Sequence, residues 1–120
     1  MNDTITSALE SDRVIDITTT GRKSGEPRRL EMWFHNVDGR IYITGMPGSR
    51  DWYANVVANP AFTFHLKESA QEDLAATARP ILDETEKRTV LEVLLDRLGY
   101  RDHIDRWMSD SPLIEVTFAG

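Results

Sequence analysis

Leu30-Glu31-Met32-Trp33-Phe34-His35-Asn36-Val37-Asp38-Gly39-Arg40-Ile41-Tyr42-Ile43-Thr44 is the stretch on which the fold turns. Leu30, Met32 and Phe34 alternate with Glu31, Trp33 and His35, the period of two that puts one face of a strand against a core. Asp38-Gly39 then offers the positive backbone angles of a tight hairpin, and the strand-like pattern resumes at Ile41, Tyr42 and Ile43. Two antiparallel strands joined by a short turn are expected here.

Working outward from this hairpin, Arg13 to Thr20 is rich in β-branched residues and stops at Gly21, which reads as a strand running into a turn. On the other side, Asp51 opens a short helix through Val57 that Asn59-Pro60 ends. Phe62, Phe64 and Leu66 alternate with Thr63, His65 and Lys67, and Leu74, Ala76 and Ala78 alternate with Ala75, Thr77 and Arg79. Asp83 and Glu86 have the spacing of a capping box, and Val90, Leu91, Leu94, Leu95 and Leu98 share one helical face until Gly99. Asp102 to Met108 reads as a short helical piece and Leu113 to Phe118 as a last strand.

The order is therefore β-β-β-α-β-β-α-α-β, an α+β chain that is mainly β. About six short, mostly antiparallel strands favour a closed or partly closed barrel, because closure removes exposed strand edges. Residues 12–120 are expected to form one domain, preceded by a polar N-terminal segment over 1–11.

Composition narrows the function. No apolar run approaches the roughly 20 residues of a membrane span, and residues 1–11 lack the pattern of an export signal, so a cytoplasmic protein is expected. There is no cysteine, hence no disulfide, thiolate metal site or cysteine nucleophile. His35 and His65 lie in the polar phase of their strands, without zinc-ligand spacing, and read as surface or hydrogen-bonded structural residues. No metal site is expected. A net charge of −6 disfavours nucleic acid.

Against that acidic background four cations, Arg22, Lys23, Arg28 and Arg29, surround the turn Gly21-Arg22-Lys23-Ser24-Gly25-Glu26-Pro27. Glycines let a ligand approach the main chain, while Ser24 and free amides add donors for phosphate or carboxylate oxygens. The turn reads as a pocket for a small anion.

The run Thr18-Thr19-Thr20-Gly21-Arg22-Lys23-Ser24-Gly25-Glu26-Pro27-Arg28, followed by Trp33-Phe34, Asp38-Gly39, Trp52-Tyr53-Ala54-Asn55 and Asn59-Pro60, resembles the deazaflavin-dependent nitroreductase family. The resemblance runs from about Asp12 to the C-terminus. It implies a split β-barrel related to FMN-binding proteins. It also implies an oxidoreductase that uses the reduced deazaflavin coenzyme F420 to deliver a hydride to a hydrophobic acceptor: a quinone, a nitro-aromatic compound or an activated alkene. By that resemblance Arg22, Lys23, Ser24, Gly25 and Arg28 would hold the cofactor's phosphate and acidic tail, and Trp52, Tyr53 and Asn55 would lie against it. Tyr53 and Asn55 are two apart and cannot share a helix face, and Asn55, which both donates and accepts, is the better ligand. Tyr100 and His103 fall near aromatic hydroxyl residues of the family and are candidates for proton delivery or substrate contact. The resemblance leaves a monomer or a homodimer open.

Two positions depart from the family pattern. Met46-Pro47-Gly48 replaces a basic residue and a glycine pair, leaving Arg50 as the nearby cation, and an anion, Asp51, precedes Trp52. These features favour the alternative of a non-catalytic binder whose pocket holds a fatty acid, haem or a flavin, FMN or FAD.

Overall fold

A computed structural model describes residues 1–45 and 51–119. Seven strands form one antiparallel sheet: β1 (Val14–Thr20), β2 (Pro27–Trp33), β3 (His35–Val37), β4 (Arg40–Thr44), β5 (Ala61–Leu66), β6 (Glu72–Pro80) and β7 (Leu113–Phe118). Four helices accompany them: α1 (Asp3–Ser11), α2 (Asp51–Ala58), α3 (Glu84–Leu98) and α4 (Ile104–Asp110), the last entered through a 3-10 turn at Arg101–His103. Residues 46–50, where the Met46-Pro47-Gly48 and Arg50 departures fall, lie outside the described residues.

The strand order is β2-β1-β5-β6-β7-β4-β3. β2 and β3 occupy opposite edges, yet only Phe34 separates them in the chain. Consecutive Cα atoms are about 3.8 Å apart, so the sheet has to curl until its edges nearly meet. The result is a split barrel.

The strand expected over Leu30 to His35 is thus two strands. Leu30 to Trp33 pairs with β1, whereas His35 to Val37 pairs with Arg40 to Tyr42 across the Asp38-Gly39 hairpin. The break accounts for seven strands where about six are expected. Phe34 turns its side chain into the core, 2 % exposed, and its amide donates to the Arg13 carbonyl at 3.0 Å. The hairpin itself follows expectation, with positive φ at both Asp38 (54°) and Gly39 (88°).

The inner faces of the strands supply Ile15, Ile17, Ile41, Ile43, Phe62, Phe64, Ala76, Ala78, Ile114 and Val116 to the barrel core. α1 closes this core with Ile5, Ala8 and Leu9. The N-terminal stretch, read as polar, is therefore a helix whose i, i+3, i+4 face is buried, capped by Asn2 accepting from the Ile5 amide at 2.9 Å. A second core forms outside the barrel, where Tyr42, Ile81 and Leu113 meet Val90, Leu91, Leu94 and Leu95 of α3 and Trp107 of α4. α3 begins and ends as its sequence indicates, with Asp83 accepting from the Glu86 amide and Gly99 in the left-handed conformation.

His65 points to the outer face but is 6 % exposed, so it is not a surface residue. Asp73 Oδ1 lies 2.6 Å from its Nδ1, and the bond holds that carboxyl below its ordinary value. A carboxylate can only accept, so Nδ1 donates to it, and Nε2 hydrogen-bonds with the Thr18 hydroxyl at 2.7 Å.

Candidate functional site

Strand register decides which cations share a space. Thr19 pairs with Arg28 and Ile17 with Leu30, so Thr19, Arg28 and Leu30 all point to the inner side of the sheet at its β2 edge. The turn between β1 and β2 folds over them. Its Gly21 amide donates to the Glu26 carbonyl at 2.8 Å and its Gly25 amide to the Gly21 carbonyl at 2.9 Å, while Gly25 takes a φ of 71°. The Ser24 hydroxyl accepts from the Glu26 amide at 3.1 Å.

At Gly21 a Cβ would stand 2.6 Å from Ser24 Oγ and 3.3 Å from the Glu26 carbonyl oxygen, so no larger residue fits without moving the turn.

α2 supplies the opposite wall. Trp52, Asn55 and Val56 fall at the i, i+3, i+4 spacing of one helical face and are buried. Asn55 is 5 % exposed and bonded at both ends: its Oδ1 accepts from the Arg22 amide at 3.1 Å and from Arg22 Nη1 at 3.0 Å, and its Nδ2 donates to Thr19 Oγ1 at 3.4 Å. Asn55 therefore fixes the cation turn to the helix. Arg22 Nη2 also meets Asp51 Oδ1 at 3.4 Å.

Between turn and helix lies a cavity of about 380 Å³. The exposed Arg22, Lys23, Ser24, Arg28 and Asp51 border it, and the half-buried Leu30 and buried Trp52 give it an apolar wall. Among the described residues the side chains of Lys23 and Arg28 have no hydrogen-bond or ion-pair partner. Arg29 borders the same cavity but points outward, its Nε donating to Asp16 at 3.0 Å.

The structure thus brings together Arg22, Lys23, Ser24, Arg28, Trp52 and Asn55 of the residues singled out in the sequence. Gly25 shapes the turn without bordering the cavity. Tyr53 faces away, toward a separate cavity bordered by Ile81, Met108 and Leu113. Tyr100 and His103 stack edge to face, ring centroids 6.1 Å apart, after α3 and border neither cavity. Their assignment to catalysis draws no support from this placement.

Thr19 and Leu30 were missed, although the strand alternation that puts Ile17 and Met32 inward carries both into the same phase. Among the described residues no cluster of His, Asp and Glu could hold a metal ion. Nor, among them, is any helix long and apolar enough to cross a membrane.

An anionic group carrying a flat ring fits these residues. Two cations with no partner among the described residues and a third held by Asn55 suit the anionic end, the missing Cβ at Gly21 keeps the turn tight, and the apolar wall suits a ring.

Comparison with known proteins agrees. The model of the F420H(2)-dependent quinone reductase family matches residues 1–114. Among solved structures, an F420-H2 dependent reductase, FDR-A, superposes with a TM-score of 0.64 at 23% identity, covering 88% of this chain and 95% of that one. A FAD-binding protein from Mesorhizobium loti gives 0.66 at 18% identity, covering 97% and 86%. HutZ, the haem storage protein from Vibrio cholerae, gives 0.72 at 16% identity, covering 97% and 88%. At these identities the structural likenesses establish the split-barrel fold, which FMN-binding relatives share.

Proposed function

Because the chain belongs to the family of F420H(2)-dependent quinone reductases, we propose that it is a cytoplasmic oxidoreductase that binds reduced F420 between the β1–β2 turn and α2. Its acceptor is a quinone or, more broadly, a nitro-aromatic compound or activated alkene. The observation that carries this reading is the pair of cations, Lys23 and Arg28, that have no partner among the described residues and border a cavity with an apolar wall, in a chain whose net charge is −6.

When bound, the reduced deazaflavin supplies the hydride, so the protein needs no acid–base triad of its own. The chain's residues bind and orient. Arg28 can meet a phosphate or carboxylate with two parallel donors, and Lys23 acts as a mobile point charge beside it. Arg22 is pre-positioned, since Asn55 holds both its backbone amide and its guanidinium, and little side-chain freedom remains to be lost on binding. Leu30 and Trp52 exclude water from the deeper wall, where a low local dielectric strengthens every charge interaction at the rim.

The test is a fluorescence titration of the protein with F420, run beside FMN, FAD and a fluorescent fatty acid. Lys23→Ala and Arg28→Ala should each weaken F420 binding by about tenfold, the loss of one charge-assisted contact. Unchanged affinity in both variants refutes the assigned site. Tight binding of a flavin or fatty acid alone refutes the cofactor.

A further inference from the structure

A second cavity, of about 370 Å³, opens where β2 breaks into β3 and shares no bordering residue with the first. Its walls come from the end of α1, the entry to β1, the Trp33 to Asn36 corner and the last turn of α3. Two guanidinium groups enter it. Arg97 donates through Nη1 to the Asn36 carbonyl at 2.7 Å and has no carboxylate partner among the described residues. Arg13 forms no ion pair among them either. His35 shares the cavity, half-buried, and its ring has no hydrogen-bond partner among the described residues. Trp33 borders the same space and is 50 % exposed, an unusual position for the largest apolar side chain.

Glu10 and Asp12 border the cavity and Glu68 lies near it, yet among the described residues none of them forms an ion pair with either cation. One Asp12 oxygen accepts from the Ser69 amide at 3.1 Å, while the Ser11 hydroxyl gives its proton to the Ser7 carbonyl at 2.9 Å. Glu68 accepts through Oε1 from the Arg13 and Val14 amides at 2.9 and 2.7 Å, and its charge attracts Arg13 without an ion pair between the side chains. Glu10 stands exposed among the bordering residues. Burial first, and then the Arg97 and Arg13 charges, push the His35 imidazole down to about 4. Two guanidiniums and an imidazole that have no ion-pair or ring hydrogen-bond partner among the described residues, together with an exposed indole, form an arrangement that an anion completes.

We infer that this cavity binds a small aromatic anion, its carboxylate or phosphate held by Arg13 and Arg97 and its ring against Trp33. The bound charge reverses the field at His35 and raises its affinity for a proton, making the imidazolium a third donor. Binding is therefore linked to proton uptake at His35 and strengthens as pH falls from 6 toward 4. The site is independent of the cofactor reading, since it shares none of its residues.

The probes are benzoate and phenyl phosphate, with benzyl alcohol as the neutral analogue, followed by tryptophan fluorescence at pH 6 and by NMR titration of the His35 ring. Both anions should saturate the wild-type protein. Arg13→Gln and Arg97→Gln should each weaken them about fivefold, Lys23→Ala should leave them unchanged, and Trp33→Phe should remove most of the fluorescence response. In the saturated wild-type protein the His35 value should rise by about one unit or more, a readout that needs no variant to fold. A preference between benzoate and phenyl phosphate assigns the natural ligand to carboxylates or phosphates. The inference is overturned by equal binding of benzyl alcohol, by a loss in Lys23→Ala rather than Arg13→Gln, or by a His35 value that stays near 4 at saturation.

Discussion

Asp51 stands at the mouth of a cavity built for anions, and replacing it by asparagine should tighten F420 binding rather than weaken it. Its carboxylate is 84% exposed and meets Arg22 at 3.4 Å, while the Arg22 side chain is 34% exposed, so the pair is solvated on one side. Such pairs contribute about 0.5 kcal/mol, which an incoming anion must give up to engage Arg22 fully. The carboxylate also repels the ligand directly, by about 0.5 kcal/mol per ligand charge at roughly 8 Å in water. Together these make about 1 kcal/mol, a fivefold gain in affinity for Asp51→Asn at low salt. Raising the ionic strength to about 0.5 M shortens the screening length to roughly 4 Å and should remove most of that gain. Fluorescence titration at two salt concentrations measures it, and a denaturant melt of the ligand-free variant should show a slight loss of stability, opposite in sign to the affinity change. Unchanged or weaker binding at low salt refutes the argument and makes Asp51 a ligand instead of a competitor.

Gly21→Ala should displace Ser24, break its bond to the Glu26 amide and lower stability by about 1 kcal/mol in a denaturant melt, with F420 affinity falling alongside. Leu9→Ala, which removes buried contacts of α1, should cost about 2–4 kcal/mol in the same assay. His35 titrates near 4 in the folded protein and at about 6.5 when unfolded, so between these values the unfolded chain binds more protons and stability falls as the solution is acidified. The loss approaches about 3 kcal/mol by pH 4, and His35→Gln should flatten the stability profile in that window while leaving it unchanged above pH 7.

Much of the barrel could be read from alternation because each strand has one inward face, and the Asp38-Gly39 turn fixed its hairpin by local backbone chemistry alone. Phe34 could not be read in this way. It continues the inward phase of Leu30 and Met32, and alternation is blind to which neighbour a strand pairs with, so one uninterrupted pattern concealed a change of partner. α1 was missed for a different reason: Ile5, Ala8 and Leu9 do carry a helical spacing, but nine residues diluted by serine and threonine are marginal as an isolated helix and are held by the core they close. In the site, the cation turn stood out against an acidic chain. The bonds from Asn55 to Arg22 and Thr19 span 33 and 36 positions, and no local pattern encodes such a meeting.

The Phe34 break also sets where the barrel yields. A closed barrel would resist opening along its whole circumference, because every seam is laddered by amide bonds. Here the two edge strands are joined by covalent continuity and by the Phe34 side chain, not by a ladder between them. Parting them therefore ruptures few hydrogen bonds, and the edge amides of β2 belong to the lowest-energy opening of the sheet. The seam is a hinge supplied by topology. Because Leu30 of the first cavity and Trp33 of the second ride on the same edge strand, a ligand that stiffens either cavity should slow hydrogen exchange along the wall of the other.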